Sequence, residues 1–116
     1  MQENKNQLRE DSINLAIEIS DQCDNIKGCS IYVNQLLRAS SSIGANIHEA
    51  KYAQSRADFI SKLEIALKEC SETEYWLEII YRKGKITETQ YSYFVKSAGT
   101  IRRRLIASIT TAKNNQ

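Results

Sequence analysis

Apolar residues recur at three- and four-residue intervals in four stretches of the chain, as in amphipathic helices that each bury one face. The first stretch covers about 7–24. Leu8, Ser12, Leu15, Ile19 and Cys23 fall on one side, and Ile13, Ala16 and Ile17 are expected to widen the stripe. Asn25, Lys27 and Gly28 interrupt it, and Gly28 accepts the left-handed backbone that ends a helix. The second stretch, about 30–52, presents Leu36, Leu37, Ser40, Ile43, Gly44, Ile47 and Ala50. Its small residues (Ala39, Ser40, Gly44, Ala45) would let a neighbouring helix come close.

The third stretch, about 56–82, can be capped by Ser55 or Asp58. Phe59, Ile60, Leu63, Ala66, Leu67, Cys70, Leu77 and Ile80 make a near-heptad seam, with the helix formers Glu64, Lys68, Glu69, Glu72 and Glu74 between them. Gly84 ends it. Thr87 and Gln90 then have the spacing of a capping box that starts a fourth stretch, about 87–113. Tyr91, Phe94, Ala98, Ile101, Leu105, Ile109 and Ala112 form its apolar face. Gly99 lies mid-helix at a cost of about 1 kcal/mol, which marks it as a point of close contact. Four long helices with short loops bury their stripes together as an antiparallel up-down-up-down bundle, so the expected fold is all-α, one domain over residues 1–116.

Composition agrees with few breaks. There is no proline and there are four glycines in 116 residues, where a β-rich domain would need many turn residues. The start, MQENKNQLRED, lacks the apolar core of a signal peptide, and no run reaches the ~20 apolar residues of a membrane span. A cytoplasmic protein without membrane contact is therefore expected. Cys23, Cys29 and Cys70 are odd in number and lack CxxC spacing, so they are expected to be reduced thiols and not a disulfide or zinc set.

Helical bundles often hold di-metal centres built from paired Glu-x-x-His motifs, but His48 is the single histidine and no Glu stands three residues before it. An HExxH zinc site fails for the same reason, and Gly-rich phosphate loops and GxSxG elbows are missing. The expectation is a non-enzymatic protein with no cofactor, no metal and no small-molecule substrate.

Two polar patterns remain. Arg38, Ser42, Asn46 and Glu49 fall on one face of the second helix, and Glu69, Glu72 and Trp76 make a similar row on the third. Buried charge must be paired. Arg38, Asn46 and Glu49 are therefore expected to join Glu69 or Glu72 in a partly buried inter-helix network that sets register, unless the row faces solvent. The second pattern is charge. Residues 1–30 carry −3, 31–57 +2, 58–84 −2 and 85–116 +5, so the basic excess sits on the fourth helix around Arg102, Arg103 and Arg104. With Lys96 and Lys113, and with Lys83 and Lys85 nearby, these arginines are candidates for a phosphate-binding stripe. The alternative is a solvated face whose arginines pair with acids of the first or third helix.

The stretches QLLRASSSIGANIHEA (Gln35 to Ala50) and DFISKLEIALKECSETEYWL (Asp58 to Leu77) closely resemble the bacterial four-helix-bundle proteins encoded in intervening sequences of 23S ribosomal RNA genes, which are often labelled ribosomal-protein-like. The resemblance covers nearly the whole chain. Its pattern includes Arg38, Ser42, Asn46 and Glu49 on helix two and Phe59, Lys62, Ala66, Glu69, Glu72 and Trp76 on helix three, all present here. The departure is Lys27-Gly28-Cys29 in a loop where many members carry proline. The resemblance implies a homo-oligomer, commonly a pentameric barrel with a central pore. It also implies kinship with accessory proteins of retroelement reverse transcriptases, which bind nucleic acid through a basic surface. The leading expectation is thus a homo-oligomeric bundle that binds RNA or another nucleic acid through helix four. The alternative is a protein-interaction adaptor or scaffold, such as a reverse-transcriptase accessory protein, with no direct nucleic-acid role.

Overall fold

Four helices account for nearly all of the structure, a computed structural model that describes residues 2–115, with side chains from residue 7 onward. They are α1 (Gln2–Cys23), α2 (Ser30–Ala50), α3 (Arg56–Arg82) and α4 (Glu88–Asn114). Each helix packs against its chain neighbours and α4 closes onto α1. Among the described residues the diagonal pairs do not meet, so the arrangement is an antiparallel ring of four measuring 47 × 23 × 18 Å. A helix of 27 residues is about 40 Å long, so α3 and α4 each run nearly the length of the rod.

Local chemistry sets the boundaries. Ser55, not Asp58, is the cap of α3: its hydroxyl accepts the Asp58 backbone N–H at 3.0 Å. At α4 the Thr87 hydroxyl accepts the Gln90 N–H at 3.1 Å, and the Gln90 side chain accepts the Thr87 N–H at 2.8 Å. Ile86, just before that cap, is buried and pins the entering chain to the core. Gly28 and Gly84 take φ of 79° and 75° where the chain leaves α1 and α3, and Cys29 follows with φ of 58°. The first helix extends back to Gln2, beyond the start near Gln7 that its apolar stripe marks. That first turn has no apolar periodicity in the sequence to reveal it, while Glu, Lys and Gln still favour helix.

The core is aliphatic: Leu15, Ile19, Ile43, Leu77, Ile80, Ile101 and Leu105 are fully buried. Truncating any of these to alanine costs about 2–5 kcal/mol. Ile17 does not widen the α1 stripe as its spacing implies; it is 53% exposed, having rotated past the edge of the buried arc. Buried Ser12, Ser40 and Thr73 each donate back to their own helix, to Arg9 O at 2.8 Å, Leu37 O at 3.3 Å and Glu69 O at 2.9 Å, so none is an orphan. The small face of α2 meets α1, with Gly44 against Ser12. Cys70 donates its thiol hydrogen to Ala98 O at 3.2 Å across the α3–α4 seam. Among the described residues no helix is long and apolar enough to cross a membrane.

Candidate functional site

The polar row between α2 and α3 forms around Arg38. Its Nη1 lies 3.1 and 3.3 Å from the two Glu69 carboxylate oxygens, its Nη2 donates to Glu72 Oε1 at 2.7 Å, and its Nε donates to Gln35 Oε1 at 3.1 Å. Glu69 is the most sheltered member, with its side chain 15% exposed against 47% for Arg38. The hydrogen bond to Glu72 is the largest effect on the Arg38 pKa; burial opposes it, and with the hydrogen bond to Glu69 added the pKa is raised above its ordinary value. Such half-exposed ion pairs stabilise by roughly 0.2–1 kcal/mol each.

The rest of the row does not join this cluster. Glu49 pairs with Lys62 at 3.3 Å. Asn46 donates its amide to the Ser42 carbonyl oxygen at 2.9 Å, one turn back on the same helix. The side chains spaced along one face of α2 therefore make three separate contacts: Arg38 and Glu49 reach the α3 residues level with them, and Asn46 turns back onto its own helix. Trp76 is half-buried with its ring 6.1 Å from Tyr32 and 5.0 Å from Tyr75, the latter edge-on. Its indole N–H is buried without a partner. Tyr32 and Tyr75 belong to this cluster. Tyr32 packs against the core four residues before Leu36 and so lies on the α2 stripe, whereas Tyr75 is exposed and no apolar periodicity reveals it.

On α4 the arginine run fans around the helix. Arg102 Nε reaches Glu74 of α3 at 3.1 Å, while Arg104 pairs with Asp11 of α1. Lys113 pairs with Glu64 of α3 at 3.1 Å. Arg103 and Lys96 differ: both are exposed, and among the described residues neither has a carboxylate partner. Arg103 donates to the Thr100 hydroxyl of its own helix, at 3.4 Å. Lys96 and Arg103 are seven residues apart, two turns on one face of the helix.

Lys83 and Lys85 do not lie beside the arginines. They sit in the α3–α4 loop at the end of the bundle that also carries the α1–α2 loop, where Lys85 Nζ stands 3.7 Å from the position of a side-chain carbon on Gly28. That is about 25 Å along α4 from Arg102 at 1.5 Å per residue.

Between α1 and α4 runs a polar groove of about 270 Å³ lined by Asp11, Asn14, Leu15, Glu18, Tyr93, Ser97 and Thr100. Its two acids are engaged, Asp11 with Arg104 and Glu18 with the Tyr93 hydroxyl at 2.6 Å. That hydrogen bond to Glu18 raises the Tyr93 pKa. Among the described residues no three His, Cys, Asp or Glu side chains gather as a metal site. His48 lies exposed with its ring edge-on to Tyr52 at 5.4 Å.

Compared with known proteins, residues 4–107 match the family model described as 23S rRNA-intervening sequence protein. A crystal structure of a protein with unknown function from the S23 ribosomal protein family of Bacteroides thetaiotaomicron VPI-5482 is 42% identical. It superposes with a TM-score of 0.88 and aligns over 92% of this chain and 98% of its own. No curated protein matches the chain. Neither match names an enzymatic activity.

Proposed function

The chain belongs to the 23S rRNA-intervening sequence protein family, and from that premise we propose that it is a non-enzymatic, self-associating cytoplasmic bundle that binds RNA through the exposed face of α4. The observation that carries the reading is the pair Lys96 and Arg103, two cations on one helix face with no carboxylate to neutralise them among the described residues. Arg102 and Arg104 flank them and keep 40% and 42% of their side chains exposed despite their pairs. A phosphate backbone supplies the missing anions, and binding of this kind weakens steeply with salt. One such face is weak alone. Repeated around a homo-oligomer, the pentameric ring that the family resemblance implies, it gains by avidity.

The test is fluorescence anisotropy of a short labelled single-stranded RNA across salt, with light scattering of the same samples. Wild type is expected to bind at low salt, and the double variant Lys96→Glu, Arg103→Glu to lose binding while keeping its oligomeric state. No binding by wild type at low salt rejects the reading.

A second reading, a protein-interaction adaptor without a nucleic-acid role, draws support from Tyr75 beside Trp76, 58% exposed, and from Ile31 at 73%. Here Arg103→Glu or Tyr75→Ala changes the assembly in sizing chromatography, and RNA is not retained.

A further inference from the structure

We infer that Arg102 and Arg103 form a seat for a single phosphate group over Gly99, so that one backbone phosphate of the nucleic acid docks at a defined point of α4. The inference rests on the reading that α4 binds nucleic acid and gives that surface a specific geometry.

Helical side chains lean back over the turn that precedes them, so residues 102 and 103 both cover residue 99. A side-chain carbon built on Gly99 would stand 3.3 Å from Arg103 Nη1 and 3.4 Å from Arg102 Nη2, and no atom of another helix comes within 4 Å of it. Gly99 therefore serves no helix–helix approach. What its missing methyl leaves room for is two guanidinium groups converging on one place.

The two nitrogens lie within roughly 7 Å of each other, a gap that one phosphate can bridge with two charge-assisted hydrogen bonds of about 2.8 Å. Like charges brought this near repel unless an anion sits between them. Arg102 is held from the side by Glu74, which takes Nε and leaves Nη2 over Gly99. Arg103 is held by the Thr100 hydroxyl through Nη2, leaving Nη1 over the same spot. Lys96, one turn before Gly99, is exposed and adds a third cation on the approach. A planar fork presents its donors to phosphate oxygens as a point charge cannot.

The deciding variant is Gly99→Ala, which changes no charge. Its methyl would crowd Arg103 Nη1 at 3.3 Å and touch Arg102 Nη2 at 3.4 Å, shifting the two donors by a few tenths of an ångström while improving helix propensity, so the melting temperature should rise as RNA affinity falls. With the full chain and a fluorescein-labelled single-stranded RNA, the expected loss is about tenfold, as for one charge-assisted hydrogen bond. The slope of log K against log salt should shrink by about 0.7, one phosphate contact fewer. Arg103→Gln is expected to lose binding similarly without the rise in melting temperature.

If wild type binds RNA and Gly99→Ala binds equally well with the same salt slope, the seat is wrong while the broader α4 reading stands. The seat is equally wrong if Arg103→Gln weakens binding and Gly99→Ala does not. If wild type binds no RNA, the α4 reading fails, and titration with inorganic phosphate followed by the arginine Nε–H resonances decides the seat alone. Shifts at Arg102 and Arg103 in wild type but not in Gly99→Ala support it, and their absence overturns it.

Discussion

A methyl group on Gly44 would stand 3.1 Å from Ser12 Oγ and 3.5 Å from Ser12 Cβ, so α1 and α2 are as close here as the absence of a side chain allows. Ser12 is 1% exposed and its hydroxyl is committed to Arg9 O, which leaves it little freedom to move aside.

Gly44→Ala is accordingly expected to lower stability by about 1–2 kcal/mol through overpacking. This is opposite in sign to the gain of about 1 kcal/mol that alanine brings to an unobstructed helix. Removing the hydroxyl as well, in Ser12→Ala, Gly44→Ala, should recover part of the loss, making the two changes non-additive. Thermal melts of the four proteins in the cycle measure this. A Gly44→Ala protein that melts above wild type contradicts the contact.

Arg38→Ala is expected to cost about 1 kcal/mol at low salt, since it removes both half-exposed pairs at once. At about 1 M salt, where the screening length falls to ~3 Å, most of the difference from wild type should disappear. Urea unfolding at the two salt concentrations reads it out; a loss insensitive to salt would assign the effect to packing of the arginine stem.

Asn46→Ala should shift stability by less than about 0.5 kcal/mol. Among the described residues its amide bonds only to the Ser42 carbonyl on its own helix, which already serves the helix ladder. A loss above about 1 kcal/mol in the same urea assay would restore Asn46 to an inter-helix role.

Burial, reinforced by Glu74 and opposed by Arg102, pushes the Cys70 thiol up from an ordinary 9.0 to about 12, and burial pushes Cys23 to about 11. Below pH 9 these thiols are protonated whether the chain is folded or not, and their contribution to stability is complete. Above it the unfolded chain ionises first and binds fewer protons, so stability falls as pH rises from 9 toward 12. Between pH 8 and pH 10, wild type should lose about 1 kcal/mol more than Cys70→Ala, by up to about 1.4 kcal/mol per pH unit for one group. Equal losses in the two proteins refute the assignment.

Helix count, caps and core were legible because they follow from short-range rules. Thr87 and Gln90 cap α4 three residues apart, and Leu105 and Ile109 share a face four residues apart, whatever the rest of the chain does. The family was legible too, from two local stretches of α2 and α3. Contacts between helices obey no such rule. That Arg38 would meet both Glu69 and Glu72 while Asn46 turned back to Ser42 depends on which turns of α2 and α3 lie level.

By itself, then, the sequence determined an all-α bundle, its boundaries to within a few residues, and a basic fourth helix, since periodicity, capping and charge are carried by neighbours in the chain. Only the tertiary structure decided which of those charges are already spoken for. Asp11 and Glu74 arrive at Arg104 and Arg102 from other helices, and they leave Arg103 and Lys96 without a carboxylate among the described residues. Gly99 was visible in the sequence as a weak point of α4. A side-chain carbon there would meet two arginines of its own helix and nothing from another, because their side chains fold back over that position.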